Sequence, residues 1–181
     1  MTRIRTNFIY DPARQGYDTT SIWKTLVGTP TVVADRIVLN QASIVQYADL
    51  YGCDLSMRLI IPGLPALGQE KAFGLSSIAF NEHIVFLIRD TDFMIAAINK
   101  DGIFKIFDVP FDPAWVGTET DFEIRWRGTY ADFLINGIKP IIYRINDISI
   151  PKNTLSIALL NENNDDLEIV SISANNIQTF I

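Results

Sequence analysis

Between positions 115 and 143 the chain carries the side-chain types from which sugar-binding surfaces are built. Trp115, Tyr130 and Tyr143 offer rings to stack on the apolar face of a sugar. Glu123, Arg125, Arg127 and Asp132 offer acids and guanidinium groups to bond its hydroxyls. Phe122-Glu-Ile-Arg-Trp-Arg127 alternates apolar and charged residues. Successive side chains of a strand point to opposite faces, so Phe122, Ile124 and Trp126 share one face and Glu123, Arg125 and Arg127 the other. With the apolar face in a core, the charged triplet lies on an exposed sheet surface. It serves there as a ligand contact or as a solvated face tied by salt bridges.

Other spacings carry weaker chemistry. Asn161-Glu-Asn-Asn-Asp-Asp166 is rich in the oxygen ligands Ca²⁺ takes, with Asn161, Asn163, Asp165 and Asp166 as candidates. The same composition makes an ordinary hairpin loop, and the Asp-X-Asp-X-Asp-Gly spacing is missing. Asp90 and Asp92 read as turn residues. Gly63-Leu-Pro-Ala-Leu-Gly68 is no phosphate cradle, because Pro62 and Pro65 remove N–H donors and a strand pattern follows. It reads as an exposed loop whose Leu64 and Leu67 hint at contact. His83 lacks a nucleophile partner in any motif and reads as structural. Cys53 reads as a small buried residue. With one Cys and one His, the chain makes no intrachain disulfide and no zinc site.

These residues need a frame. The chain has 181 residues, 48% hydrophobic and 20% charged, and a net charge of −6. That is the composition of one globular domain and the wrong sign for a generic nucleic-acid binder. The polar start and the lack of a run near the ~20 apolar residues of a membrane helix imply no signal peptide and no membrane insertion. With the lone thiol and no Asn-X-Ser/Thr sequon, synthesis in a reducing cytosol is expected.

The dominant period is two. Leu167-Glu-Ile-Val-Ser-Ile-Ser173 alternates loosely, while Met57–Ile61, His83–Arg89, Phe93–Ile98 and Leu155–Leu160 are apolar throughout. Their shortness and their β-branched and aromatic content favour strands over buried helices. Asp90 to Asp92, Asp101-Gly102, Asn136-Gly137 and Asn161 to Asp166 punctuate them as turns. The pattern predicts an all-β fold with at most a short helix or 3₁₀ turn near 19–23 or 113–116. Residues 1–18, with Arg3, Arg5 and Arg14, form a docking arm or an edge strand against the C-terminal strand. Residues 19–181 form one domain.

Phe122-Glu-Ile-Arg-Trp-Arg-Gly-Thr-Tyr-Ala-Asp-Phe-Leu-Ile-Asn-Gly137 resembles a strand-turn-strand signature of the concanavalin A-like lectin and glucanase superfamily. Gly28–Leu39, Lys71–Ser76, Pro151–Leu160 and Asp166–Ser173 fall in the expected order. The resemblance covers roughly residues 20–175. It implies a two-sheet antiparallel jelly roll whose carbohydrate sites lie on the concave sheet or its rim loops. Family-16 hydrolases of that superfamily carry Glu-X-Asp-X-Glu on a cleft strand, and Glu119-Thr-Asp121-Phe-Glu123 matches the spacing. Its place is wrong, since it runs directly into Trp126, and the expected catalytic strand, 73–89, offers only Glu82.

The sequence therefore predicts a non-enzymatic, lectin-like binding or structural module contacting glycan or protein. The alternative is a divergent glycan hydrolase or lyase on the same scaffold. A phage or viral protein exposed on the virion (decoration, head-fibre or tail-associated) is the expected setting, with virion proteins or copies of itself as partners. A mean hydropathy of +0.17 and the apolar Ile177, Phe180 and Ile181 suit such contacts.

Overall fold

The structure, a computed structural model, describes residues 4–10, 23–63, 67–139 and 143–178. Their strands are β1 (Ile4–Tyr10), β2 (Lys24–Val27), β3 (Thr31–Val33), β4 (Arg36–Leu39), β5 (Ala42–Leu50), β6 (Cys53–Ile60), β7 (Glu70–Ser76) and β8 (His83–Arg89). They continue with β9 (Asp92–Ile98), β10 (Phe104–Asp108), β11 (Glu119–Trp126), β12 (Ala131–Ile135), β13 (Arg144–Ile145), β14 (Leu155–Asn161) and β15 (Leu167–Gln178). The first sheet runs β13-β12-β11-β6-β15-β4-β3, with β1 also against β15; the second runs β10-β9-β8-β7-β14-β5-β2. All strand pairs are antiparallel.

Alternation does what the sequence implies. Phe122, Ile124 and Trp126 of β11 are fully buried, as are Phe86, Phe133 and Ile157, and Ile135 nearly so. Aromatic rings fasten one sheet to the other. Phe86 of β8 meets Phe122 and Phe133 of the first sheet at 5.2 Å each, and Phe73 of β7 meets Phe122 at 4.9 Å. Edge-to-face pairs of this kind add to the burial of large apolar side chains. Just after β12, between bridged Ile135 and Ile138, Asn136 and Gly137 sit at φ +50° and +73°, the left-handed pair that a tight primed turn requires.

The N-terminal segment is an edge strand as far as it is described: β1 pairs with β15 from Ile4↔Gln178 to Tyr10↔Ile172. Buried Tyr10 meets Trp23 edge-on at 5.4 Å. Arg3 and Arg14 lie outside the described residues, as do Leu64, Phe180 and Ile181. The turn expected at 113–116 is a 3₁₀ turn, Pro113–Trp115, capped by the Asp112 carboxylate accepting from the Ala114 N–H. The 19–23 turn falls outside the described residues except for Trp23.

Candidate functional site

The outer face of the first sheet holds most of the polar residues singled out above. Glu123 and Arg125 of β11 lie beside Asp132 of β12 and Arg144 of β13 by strand register. Arg125 donates to both Glu123 oxygens at 2.6 and 3.1 Å, Arg127 to Asp54 at 2.6 Å, and Arg144 to both Asp132 oxygens at 2.5 and 2.8 Å. The Arg144 guanidinium also covers the Tyr130 ring at 4.3 Å, and Lys139 covers Tyr143 at 4.5 Å. Donating hydrogen bonds to Glu123 and Asp132 raises the pKa values of Arg125 and Arg144. Six of the seven residues thus share one region, and their charges and rings are engaged with one another or with Asp54, Lys139 and Arg144. Trp115 stands apart. Its turn folds it toward the core side, where it packs on Phe93, Phe111 and Phe122.

The three alternating acids are on this same outer face, each held by arginine. Glu119 and Glu168 share Arg36 at 3.2 and 2.9 Å, and Asp121 binds Arg58 at 2.8 and 3.1 Å. Glu82, the acid of the expected cleft strand, is buried and accepts both its bonds from Asn153.

In the acidic loop both Asp165 and Asp166 have protein partners. Asp165 accepts from the Lys71 ammonium at 2.8 Å, and Asp166 from the Asn40 amide at 2.9 Å. Asn161 donates to the Leu39 and Asp165 carbonyls at 2.6 Å and accepts from the Asn163 N–H. The Lys71 side chain is fully buried, and burial pushes its pKa down. The loop closes over an ammonium supplied by β7. Among the described residues no three His, Cys, Asp or Glu side chains converge as a metal set. Cys53 is buried, and burial pushes its thiol up to about 12.

The outer face of the second sheet is different. It encloses a groove of about 730 Å³, lined by Ala72, Val85, Leu87, Ala96, Ala158 and Leu160 among others. Its geometry follows from register. Ala158, Gly74, Val85, Ala96 and Ile106 stand side by side across β14, β7, β8, β9 and β10, making a rung of small or apolar groups. At a strand spacing of ~4.8 Å this rung is about 19 Å long. Leu160, Ala72, Leu87 and Met94 form the next rung on one side, and Ser76, His83, Ile98 and Phe104 on the other. Gly74 sits mid-rung at φ +152°, where a Cβ would lie 2.5 Å from the Ile84 carbonyl oxygen and 2.8 Å from Ile124 Cδ1. Only glycine fits there.

The floor is concave: Ala158, Val85 and Ala96 are 3%, 6% and 2% exposed although they face outward. The margins are open, with Phe104 at 66% and Val27 at 61%. Charge in the groove is confined to its ends. Arg89 donates to one Glu70 oxygen at 3.0 and 2.6 Å, and burial pushes the His83 pKa down, favouring the neutral ring. The groove is the feature that side-chain chemistry missed. Its signal was the runs His83–Arg89 and Asp92–Ile98, which are apolar on both faces where a half-buried strand alternates.

No family model matches the chain, and no curated protein matches it in sequence. Solved structures do. A native glycosidic hydrolase is 15% identical over 98% of this chain and 100% of its own, with a TM-score of 0.69. A prokaryotic β-1,3-1,4-glucanase (lichenase) derived from a mouse hindgut metagenome is 13% identical over 95% and 100%, with 0.68. The carbohydrate recognition domain of Emp47p is 10% identical over 94% and 95%, with 0.66. At these identities the likeness concerns the fold. The chain is a two-sheet antiparallel jelly-roll sandwich. Among its described residues no helix is long and apolar enough to cross a membrane.

Proposed function

We propose that this chain is a non-catalytic, lectin-like binding module that holds its ligand in the groove of the second sheet. The observation that carries it is the groove itself: a concave, largely apolar cavity of about 730 Å³, within the size range of small-ligand sites. The acids that hydrolysis would use support the same reading. Glu119, Asp121 and Glu123 lie on the opposite sheet, occupied by Arg36, Arg58 and Arg125. A glycan ligand is supported by the likeness to a carbohydrate recognition domain. A protein contact, on a virion surface or between copies, is supported by the exposed apolar margin of Val27, Ile78 and Phe104.

The test is a binding screen with the immobilised chain against glycans and apolar ligands, run in parallel on Leu87→Arg. The ligand that binds the parent chain is expected to be lost in the variant. Retention by folded Leu87→Arg, or glycan turnover that Glu123→Gln abolishes, overturns the proposal. Detection of the chain in purified virions by mass spectrometry tests the setting.

A further inference from the structure

We infer that two copies of this chain pair edge to edge through β10, antiparallel about Ile106, and so join their second sheets into one. The inference does not depend on what the groove holds. β10 ends the second sheet, and among the described residues no strand pairs with its outer side. Of the four strands that end the two sheet paths it is the longest, with 5 residues against 4, 3 and 2 in β2, β3 and β13. Its register with β9 runs without a bulge from Phe104↔Ile98 to Asp108↔Met94. A regular, open edge of this kind is a template for another strand.

The ladder fixes which backbone groups are free. The Asn99 N–H donates to the Ile103 carbonyl, and the Val109 N–H to the Phe93 carbonyl. These two pairs extend the β9–β10 register by one position at each end, and bonded pairs alternate along an antiparallel ladder. Ile103, Lys105, Phe107 and Val109 therefore bond to β9, while Phe104, Ile106 and Asp108 turn their N–H and C=O groups to the open edge. A two-fold axis at Ile106 sets Ile106 opposite Ile106 and Phe104 opposite Asp108 of the second copy. Every outward N–H and C=O of the three then finds a partner.

Side chains select the same register. It sets Lys105 opposite Phe107 of the second copy, repeating the contact Lys105 makes with its own Phe107 ring at 5.1 Å. The register centred on Lys105 opposes two ammonium groups, and the one centred on Phe107 sets Phe104 against Pro110, which has no N–H. On the outer face Phe104 and Ile106 are 66% and 38% exposed, and the pairing covers Ile106 with its counterpart. Ile106 also ends the Ala158–Gly74–Val85–Ala96–Ile106 rung. The rung of one copy thus runs into that of the other, about 43 Å in all at ~4.8 Å per strand. A single strand pair is a small interface, so the dimer is expected to be weak and concentration-dependent.

Sedimentation velocity of the full chain tests this up to about 1 mM, where a dimer with a Kd of about 100 μM predominates. The parent is expected to pass from monomer to dimer. Ile106→Glu and Ile106→Lys should each stay monomeric with an unchanged circular dichroism spectrum, because like charges then meet on the axis. An equimolar mixture of the two should dimerise again. Phe104→Lys faces Asp108 of the second copy and should dimerise at least about tenfold more tightly than Phe104→Asp, which repels it. Phe104 is exposed, so this comparison decides the register should the Ile106 variants not fold. A parent that stays monomeric, an Ile106→Glu chain that dimerises, a mixture that does not, or equal dimerisation of the two Phe104 variants overturns the inference. A ligand lost in Leu87→Arg from a chain that never dimerises removes the pairing and leaves the groove as the ligand surface. A dimer with no groove ligand removes the ligand surface and leaves the pairing.

Discussion

Single residues set the stability of this fold in ways that pH and substitution can read. His83 is the only histidine. Burial, the largest influence on it, holds its pKa below the usual 6.5. Between that depressed value and 6.5 the native chain binds fewer protons than the unfolded one, so stability rises with pH. Stability is expected to be complete above pH 6.5 and to decline on acidification through that window; His83→Asn should flatten this part of a urea-midpoint profile. Lys71 carries a buried ammonium whose counter-charge among the described residues is Asp165. Asp165→Ala strands that charge and should cost about 3–5 kcal/mol in urea unfolding, while Lys71→Met leaves a half-exposed carboxylate and should cost far less. Trp126→Ala removes a fully buried ring that meets Tyr51 at 5.1 Å. Its expected cost is about 3–5 kcal/mol, and a loss below about 1 kcal/mol would contradict the burial.

At the scale of elements, β1 is a working strand of the first sheet rather than a free arm. It pairs with β15 over seven positions and ends in buried Tyr10. Deleting residues 1–10 should lower stability by at least about 3 kcal/mol, the loss expected for one buried aromatic alone. A truncated chain with an unchanged urea midpoint would show β1 to be dispensable. This pairing was legible as one of two options, because edge strands and docking arms share composition. β8 and β11 were legible outright: His83–Arg89 and the alternation before Trp126 have no helical period. The face of Glu123, Arg125 and Arg127 followed from the same alternation. Trp115 was not legible, since the Pro113 turn that swings it onto Phe93 depends on tertiary packing. Nor was the groove. A continuous apolar run says that both faces of a strand are shielded, and it does not say whether by protein or by a ligand.

The whole molecule has two unlike outer faces. One carries Arg36, Arg58, Arg125, Arg127 and Arg144, each matched to a carboxylate; the other carries the apolar groove. Exposed pairs of this kind contribute about 0–1 kcal/mol each, so the charged face adds solubility more than stability. The topology also sets the kinetics. Contacts such as Ile4↔Gln178 close nearly the entire chain into a loop. Refolding from urea is therefore expected in milliseconds to seconds or slower, the range of fully non-local β folds, and a microsecond phase in stopped flow would contradict it. β15 lies inside the first sheet, with β6 on one side and β4 and β1 on the other. It is also the last in chain order of the strands among the described residues. At about 5–20 residues per second, β4 and β6 wait on the order of seconds with unpaired edges, so vectorial synthesis cannot seal this sheet piece by piece. Closure of the first sheet is therefore expected to follow the synthesis of β15 rather than to accompany that of β4 and β6.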